Sequence, residues 1–237
     1  MKKAWANFLA GGGKGPAGAV CALLVVMTLG GCETMPQIPG FSKVVEAPEY
    51  HPTNVHRKSE VLPLEIKRVA LLPVSGMTEE VSLEAGADAL APVLQAELEK
   101  TKRFEIVVVS PEEMQRLTGQ ARCRPDEALP HDFFEQLHTR TGCDAVLFCQ
   151  LTRYNAYPPL AVGWRMSLVQ GAGPEILWSL DEVFDAGNPE VAGGARTYYT
   201  QHIRIEPPLQ DSETILRAPT LFGQFSLNAV FGTLPRR

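Results

Sequence analysis

Apolar positions fall into two rhythms along this chain, and the changes between them outline its elements. Val69 to Val74 (VALLPV) is a short, continuous apolar run, the pattern of a strand covered on both faces. Leu83, Ala87, Leu90, Leu94 and Leu98 follow at steps of four, three, four and four, one face of a helix. Pro92 lies inside that stretch, so the helix is expected either to kink there or to begin near Asp88. Phe104 to Val109 (FEIVVV) reads as a second strand. Ser110-Pro111-Glu112-Glu113 then supplies a cap, a first-turn proline and a capping-box acid for a short helix ending near Gly119.

Beyond a polar loop, Gln120 to Pro130, the residues Phe133, Phe134 and Leu137 mark a third helix that stops near Gly142. Three strands come next with no helix between them, at about 145–154, 162–169 and 176–184. Pro158-Pro159 and Gly171-Ala172-Gly173-Pro174 provide the turns. Asn188-Pro189 caps a helix running to about His202, within which Gly193-Gly194 reads as a local break. A last helix is expected over 215–231, after Pro207-Pro208, with Pro219 kinking or delaying it. The order β-α-β-α-α-β-β-β-α-α predicts an α/β (α+β) fold with a mixed four- to five-stranded sheet flanked by helices.

The segment before Arg68 has a different character. Lys2, Lys3 and Lys14 open a basic stretch, and an apolar run from Ala17 to Leu29 follows, too short for the ~20 residues of a spanning helix. Small residues and Cys32 close it, so residues 1–31 read as a secretory signal peptide. Leu29-Gly30-Gly31-Cys32 resembles the lipobox of bacterial lipoproteins. That resemblance implies cleavage between Gly31 and Cys32 and three acyl chains, palmitate among them, on Cys32. Two chains already anchor stably, at about 0.8 kcal/mol per buried CH₂. Glu33 follows in place of the inner-membrane retention Asp, which implies outer-membrane attachment facing the periplasm. Prolines 36, 39, 48, 52 and 63 make residues 32–67 an extended tether reaching up to about 100 Å, at ~3.1 Å per residue. The alternative is a loop wrapping the domain through Val44, Val45 and Val61. The folded domain is then expected over 68–237.

The chain has 237 residues and a formal charge of −5; the basic signal removed, 19 basic face 27 acidic residues. An acidic body without a Lys/Arg stripe speaks against nucleic-acid binding. Of the five cysteines, Cys21 leaves with the signal, Cys32 takes lipid and Cys149 falls inside a strand. Cys123 and Cys143 bracket the third helix and could form a disulfide if the 120–130 loop folds back. His131 and His138 stand seven apart, a surface spacing rather than a metal one, and no H-x-x-x-H or C-x-x-C occurs. A Cys143–His138 nucleophile would lack an orienting third group. Gly11-Gly12-Gly13-Lys14 lacks phosphate-loop spacing and lies in the removed segment. No catalytic, metal or cofactor motif emerges. Aromatic residues exceed what a small sheet needs. Trp178 is expected in the core, and Tyr154, Tyr157 and Trp164 are the candidate partner surface.

Five short stretches, in order, resemble one family of bacterial envelope lipoproteins. They are Val69–Val74, Phe104–Val108 with Glu112-Glu113-Met114, Gly142–Leu147, Met166–Val169 and Gly173–Ser179 (GPEILWS). Cys143 replaces the family's Ala, and no Asp follows Val169. The family includes the outer-membrane lipoprotein that activates penicillin-binding proteins, the curli secretion channel lipoprotein and the amino-terminal domain of TolB. The resemblance implies a non-catalytic accessory protein that binds and regulates or positions an envelope component, such as a peptidoglycan synthase or a secretion or assembly complex. A homo-oligomeric envelope ring is the alternative and a periplasmic hydrolase the third reading. The channel branch needs paired strands of ~9–11 alternating residues beyond the core, and none is left over here.

Overall fold

The computed structural model describes residues 47–78, 80–123, 128–203 and 211–237. All of them belong to one unit, Val45–Arg237. The signal segment, Cys32, the tether up to residue 46, Arg124 to Glu127 in the polar loop and Pro207-Pro208 lie outside the described residues.

Seven strands form one sheet: β1 (Val55–Arg57), β2 (Arg68–Leu71), β3 (Ser75–Gly76), β4 (Glu105–Val108), β5 (Ala145–Asn155), β6 (Ala161–Gln170) and β7 (Glu175–Asp185). Their order is β1-β7-β6-β5-β2-β4, with β3 continuing the line of β2 alongside β5. The helices are α1 (Val81–Lys100), α2 (Pro111–Thr118), α3 (Phe133–Thr141), α4 (Pro189–His202) and α5 (Pro219–Gly232), with a 3₁₀ turn at Ser212–Leu216. The class and the order of the main elements match the expectation. The sheet is wider because β1 and β3, three and two residues long, are too short to carry a readable period.

Pairing explains the two rhythms. β2 lies parallel between β4 and β5, and both its faces are covered. Val69 and Leu71 join the larger core, while Ala70 and Leu72 join a smaller one with Met114, Leu117, Phe133 and Leu137 of α2 and α3. β5, β6 and β7 form an antiparallel meander. There Trp164, Met166 and Leu168 alternate with Arg165 and Ser167, which pairs one apolar face with one polar face.

Three local expectations meet a physical answer. Pro92 neither ends nor delays α1, which runs unbroken from Val81 to Lys100. Pro92 and Asp88 are both exposed, so the carbonyl that loses its helical donor faces water. Ser110 caps α2 by accepting from Glu113 N–H at 3.2 Å, and Gly119 (φ 79°) and Gly142 (φ 67°) end α2 and α3 in the left-handed region. Pro219 delays the last helix, and 212–216 form the separate 3₁₀ turn.

α5 is fastened to the sheet by two indoles. Trp164 Nε1 donates to Ser226 Oγ and Trp178 Nε1 to Thr233 Oγ1, both at 3.0 Å and both buried. Each hydroxyl donates onward to a carbonyl of its own helix, Gly223 and Val230, at 2.7 Å. A close approach of α1 completes the layer, since a Cβ on Gly223 would lie 2.4 Å from Leu90 Cδ2. Replacing Ser226 by Ala leaves a buried indole N–H without its acceptor. The expected loss is about 1–3 kcal/mol in urea unfolding, with an unchanged m-value.

Candidate functional site

The three aromatic residues expected at a partner surface part company. Trp164 is a core residue, fully buried and bonded to Ser226, so it is removed from any surface. The half-buried Tyr154 lies over α1, where a Cβ on Gly86 would come within 2.5 Å of its ring. Tyr157 alone stands out, 79% exposed at the tip of the β5–β6 connection. Its loop is held from within: Asn155 Oδ1 accepts from Tyr157 N–H at 3.2 Å, and Asn155 Nδ2 donates to the Pro159 carbonyl at 2.8 Å. The result is a large amphipathic side chain on a fixed loop, the kind of group that anchors interfaces.

Cys143 and Cys149 are free thiols, so the Cys123–Cys143 disulfide is absent. Both candidates are buried in the smaller core, with their sulfurs in different company. Cys123 Sγ turns to Thr118 Oγ1 at 3.5 Å, at the end of α2, whereas Cys143 follows α3 beside Thr141 and Arg68. Burial pushes the Cys143 thiol up, and complete burial pushes Cys149 up further. His138 Nδ1 meets the Cys143 carbonyl oxygen at 2.8 Å, not the thiol, so the two are not arranged as base and nucleophile. Among the described residues no group of three or more His, Cys, Asp or Glu could hold a metal ion, and no helix is long and apolar enough to cross a membrane.

What sequence reasoning missed is a slot filled by the chain's own leading segment. From Ala47 onward, the stretch expected to belong to the tether lies on the domain. Residues 55–57 pair with β7, Leu62 and Ile66 are buried in the larger core, and Val61, a contact expected of the wrapping-loop alternative, bridges Arg236 through its backbone with its side chain half exposed. Upstream, Glu182 of β7 receives the backbone: it accepts from Thr53 N–H at 2.8 Å, Asn54 N–H at 3.3 Å and the Tyr50 hydroxyl at 3.3 Å. The Tyr50 ring sits edge-on to Phe184 and Phe225, with centroids 5.4 and 6.5 Å away. Thr197 Oγ1 donates to the Ala47 carbonyl at 2.8 Å.

Gly193 and Gly194 explain the fit. They do not break α4; they leave room for the strap. A Cβ on Gly193 would stand 2.7 Å from Ala47 Cβ, and one on Gly194 2.5 Å from Tyr50 Cβ. The glycine pair was the available signal, but its purpose depends on a segment more than 140 residues away. Cavities flank the strap; one of about 520 Å³ lies between residues 49–52 and the C-terminal ends of α1 and α5.

No protein-family model matches this chain, and no curated protein does. Among solved structures, it is similar to a PelC dodecamer from Paraburkholderia phytofirmans, at 11% identity over 78% of this chain and 95% of that one, TM-score 0.43. It is also similar to lipoprotein GNA1162 from Neisseria meningitidis, at 20% identity over 52% and 85%, TM-score 0.40. A third is E. coli LpoB, at 16% identity over 78% and 93%, TM-score 0.36.

Two tests address the strap. Gly194→Val drives a side chain into Tyr50, so trypsin should cut after Arg57 and Lys58 at least about tenfold faster while the rest of the domain stays resistant. Burial, then the neighbouring Glu182 carboxylate, pushes the Tyr50 phenol up to about 12. A released Tyr50 ionises near ~10, before the docked one, so docking is full below about pH 10 and lost as pH rises toward 12. Thermal midpoints should therefore fall across that window, and Tyr50→Phe, which keeps the ring contacts, should fall less steeply.

Proposed function

We propose that this protein is a triacylated lipoprotein, anchored through Cys32 in the outer membrane and facing the periplasm, whose domain binds and positions another envelope component without catalysing a reaction. The observation that carries this reading is the docked strap. A chain that merely retained a domain at a membrane would need no hydrogen-bonded place on its surface. Here the backbone of residues 53–54 is bonded to Glu182 and Tyr50 is packed between two rings. The tether therefore meets the domain at a defined point.

Docking also shortens the reach. Only fourteen residues, 33–46, separate Cys32 from the strap, a contour of at most about 50 Å in place of about 100 Å. A domain held on so short a lead meets partners that lie close to the membrane, and Tyr157 is the exposed anchor offered to them. The partner class, a peptidoglycan synthase or a secretion or assembly complex, comes from the sequence resemblance. Self-assembly into a ring is the second reading, favoured by the open edge of β4, where Val108 is half exposed.

Crosslinking of intact envelopes, affinity capture of the protein and mass spectrometry test the proposal. Wild type should bring down one envelope component, and Tyr157→Ala should lose it while keeping the same thermal midpoint. Capture of self alone, as a discrete high-mass species, overturns the accessory reading in favour of the ring. Cys32→Ser should move the protein from the membrane to the soluble periplasmic fraction; retention in the membrane would sink the anchor.

A further inference from the structure

The cavity of about 520 Å³ beside the strap holds an imbalance of charge that the fold does not answer. Arg57 and Arg103 both line it. Arg57 donates through Nε to the Thr233 carbonyl, and Arg103 through Nη1 to the Pro235 carbonyl. The C-terminal end of α5 favours a cation at the Thr233 carbonyl, which accounts for the Arg57 bond, while Pro235 lies just past that helix. It does not account for the rest of either guanidinium, since each carries five N–H groups in a planar fork.

Nor do carboxylates account for them. Lys100, a third cation in the wall, is paired with Glu97, which also accepts from Gln224. The acid nearest to Arg57 is Glu60, at 3.9 Å. Among the described residues Arg103 has no carboxylate partner, and the exposed Glu49 makes no ion pair across the cavity. Burial and the nearby charges of Arg236 and Arg57 push the Arg103 guanidinium down. Arg103 thus lines a cavity of ligand size with Arg236 and Arg57 near it and no carboxylate partner among the described residues, while Arg57 keeps only its long pair with Glu60.

We propose that this cavity binds a phosphate group, held between the guanidinium forks of Arg57 and Arg103. Each guanidinium has N–H donors beyond its carbonyl bond, and such planar forks suit the several equivalent oxygens of a phosphate. Asn228 and His51 stand in the same wall as further polar partners. The volume exceeds that of a bare ion, so the group is carried by a larger polar molecule, either a soluble phosphate ester or the headgroup of an anionic phospholipid. Because residues 49–52 form one wall, the occupied cavity also holds the strap in place.

The test is calorimetry on the mature protein in nonionic detergent, with inorganic phosphate, dihexanoyl phosphatidylglycerol below its micelle concentration, and dihexanoyl phosphatidylcholine as separate probes. Binding of phosphate with a chloride control of equal ionic strength silent supports the site, with the soluble source favoured. Saturable binding of the phosphatidylglycerol at least about tenfold tighter than both phosphate and the phosphatidylcholine also supports it, and identifies a headgroup. Arg103→Gln should weaken either by at least about tenfold and Arg103→Lys by less, while Arg140→Gln, remote from the cavity, changes nothing. Since Arg103 also holds Pro235, a readout on the unaltered protein stands beside the variants: phosphate should protect Arg57 and Arg103, and not Arg140, from phenylglyoxal. Absence of binding by both anionic probes, or equal modification of Arg103 with and without phosphate, overturns the proposal.

Discussion

Thr233 joins three parts of this fold in one residue. Its hydroxyl accepts the indole N–H of Trp178 from β7, and its carbonyl accepts the guanidinium of Arg57 from β1. With Trp164 bound to Ser226 two turns earlier, the inner face of the meander and the polar side of α5 are matched donor to acceptor along the helix. Burying a tryptophan is favourable only when its N–H finds a partner, so the two rings fix both the rotation and the position of α5 along its axis. Much else follows from that placement. Phe225 is set against Phe184, and Gly223 is pressed onto Leu90 of α1.

The strap depends on the same placement. Tyr50 needs Phe184 from the sheet and Phe225 from α5 side by side, and it needs α4 without side chains at positions 193 and 194. Glu182 contributes the polar half of the contact: a carboxylate at the sheet edge takes two backbone N–H groups and a phenol that would otherwise face water. This arrangement also occupies β7 beyond the short β1 pairing, and so covers part of an edge that would invite another strand. Tether and domain are thus one structural object from Ala47 onward.

The regular elements were legible because their signals are local. VALLPV, the four-three-four leucine spacing of α1, the Ser-Pro-Glu-Glu cap and the glycines at 119 and 142 each act within a few residues, and each appears where its chemistry requires. The failures share the opposite trait. Prolines at 48, 52 and 63 lower helix propensity, and low propensity reads as linker whether or not something distant binds the chain. Gly193-Gly194 reads as a break when only the helix is considered, and as clearance once Tyr50 lies beside it. Aromatic excess suggests an interface and points Trp164 outward, yet its strand alternation with Met166 and Leu168 aims it inward. Cys123 and Cys143 bracket the third helix, which allows a bond, but both pack in the smaller core with their sulfurs beside different neighbours.

The same long-range logic bears on where function sits. The surfaces of the domain are unequal. On the meander's outer face Arg165 is bonded to Asp181 and Arg153 lies near Asp185. Tyr157 and the Arg57–Arg103 cavity differ in being left over: one is a largely exposed ring, the other a pair of guanidiniums of which Arg57 has only a long pair with Glu60 and Arg103 no carboxylate among the described residues. Neither contributes to holding the fold together in proportion to its exposure or its electrostatic cost. Tyr157 stands on a meander loop held by Asn155, Arg57 on β1 and Arg103 just past α1, the two arginines each bonded to a backbone carbonyl. A ligand or partner would thus meet them already placed, with little ordering cost at the moment of binding.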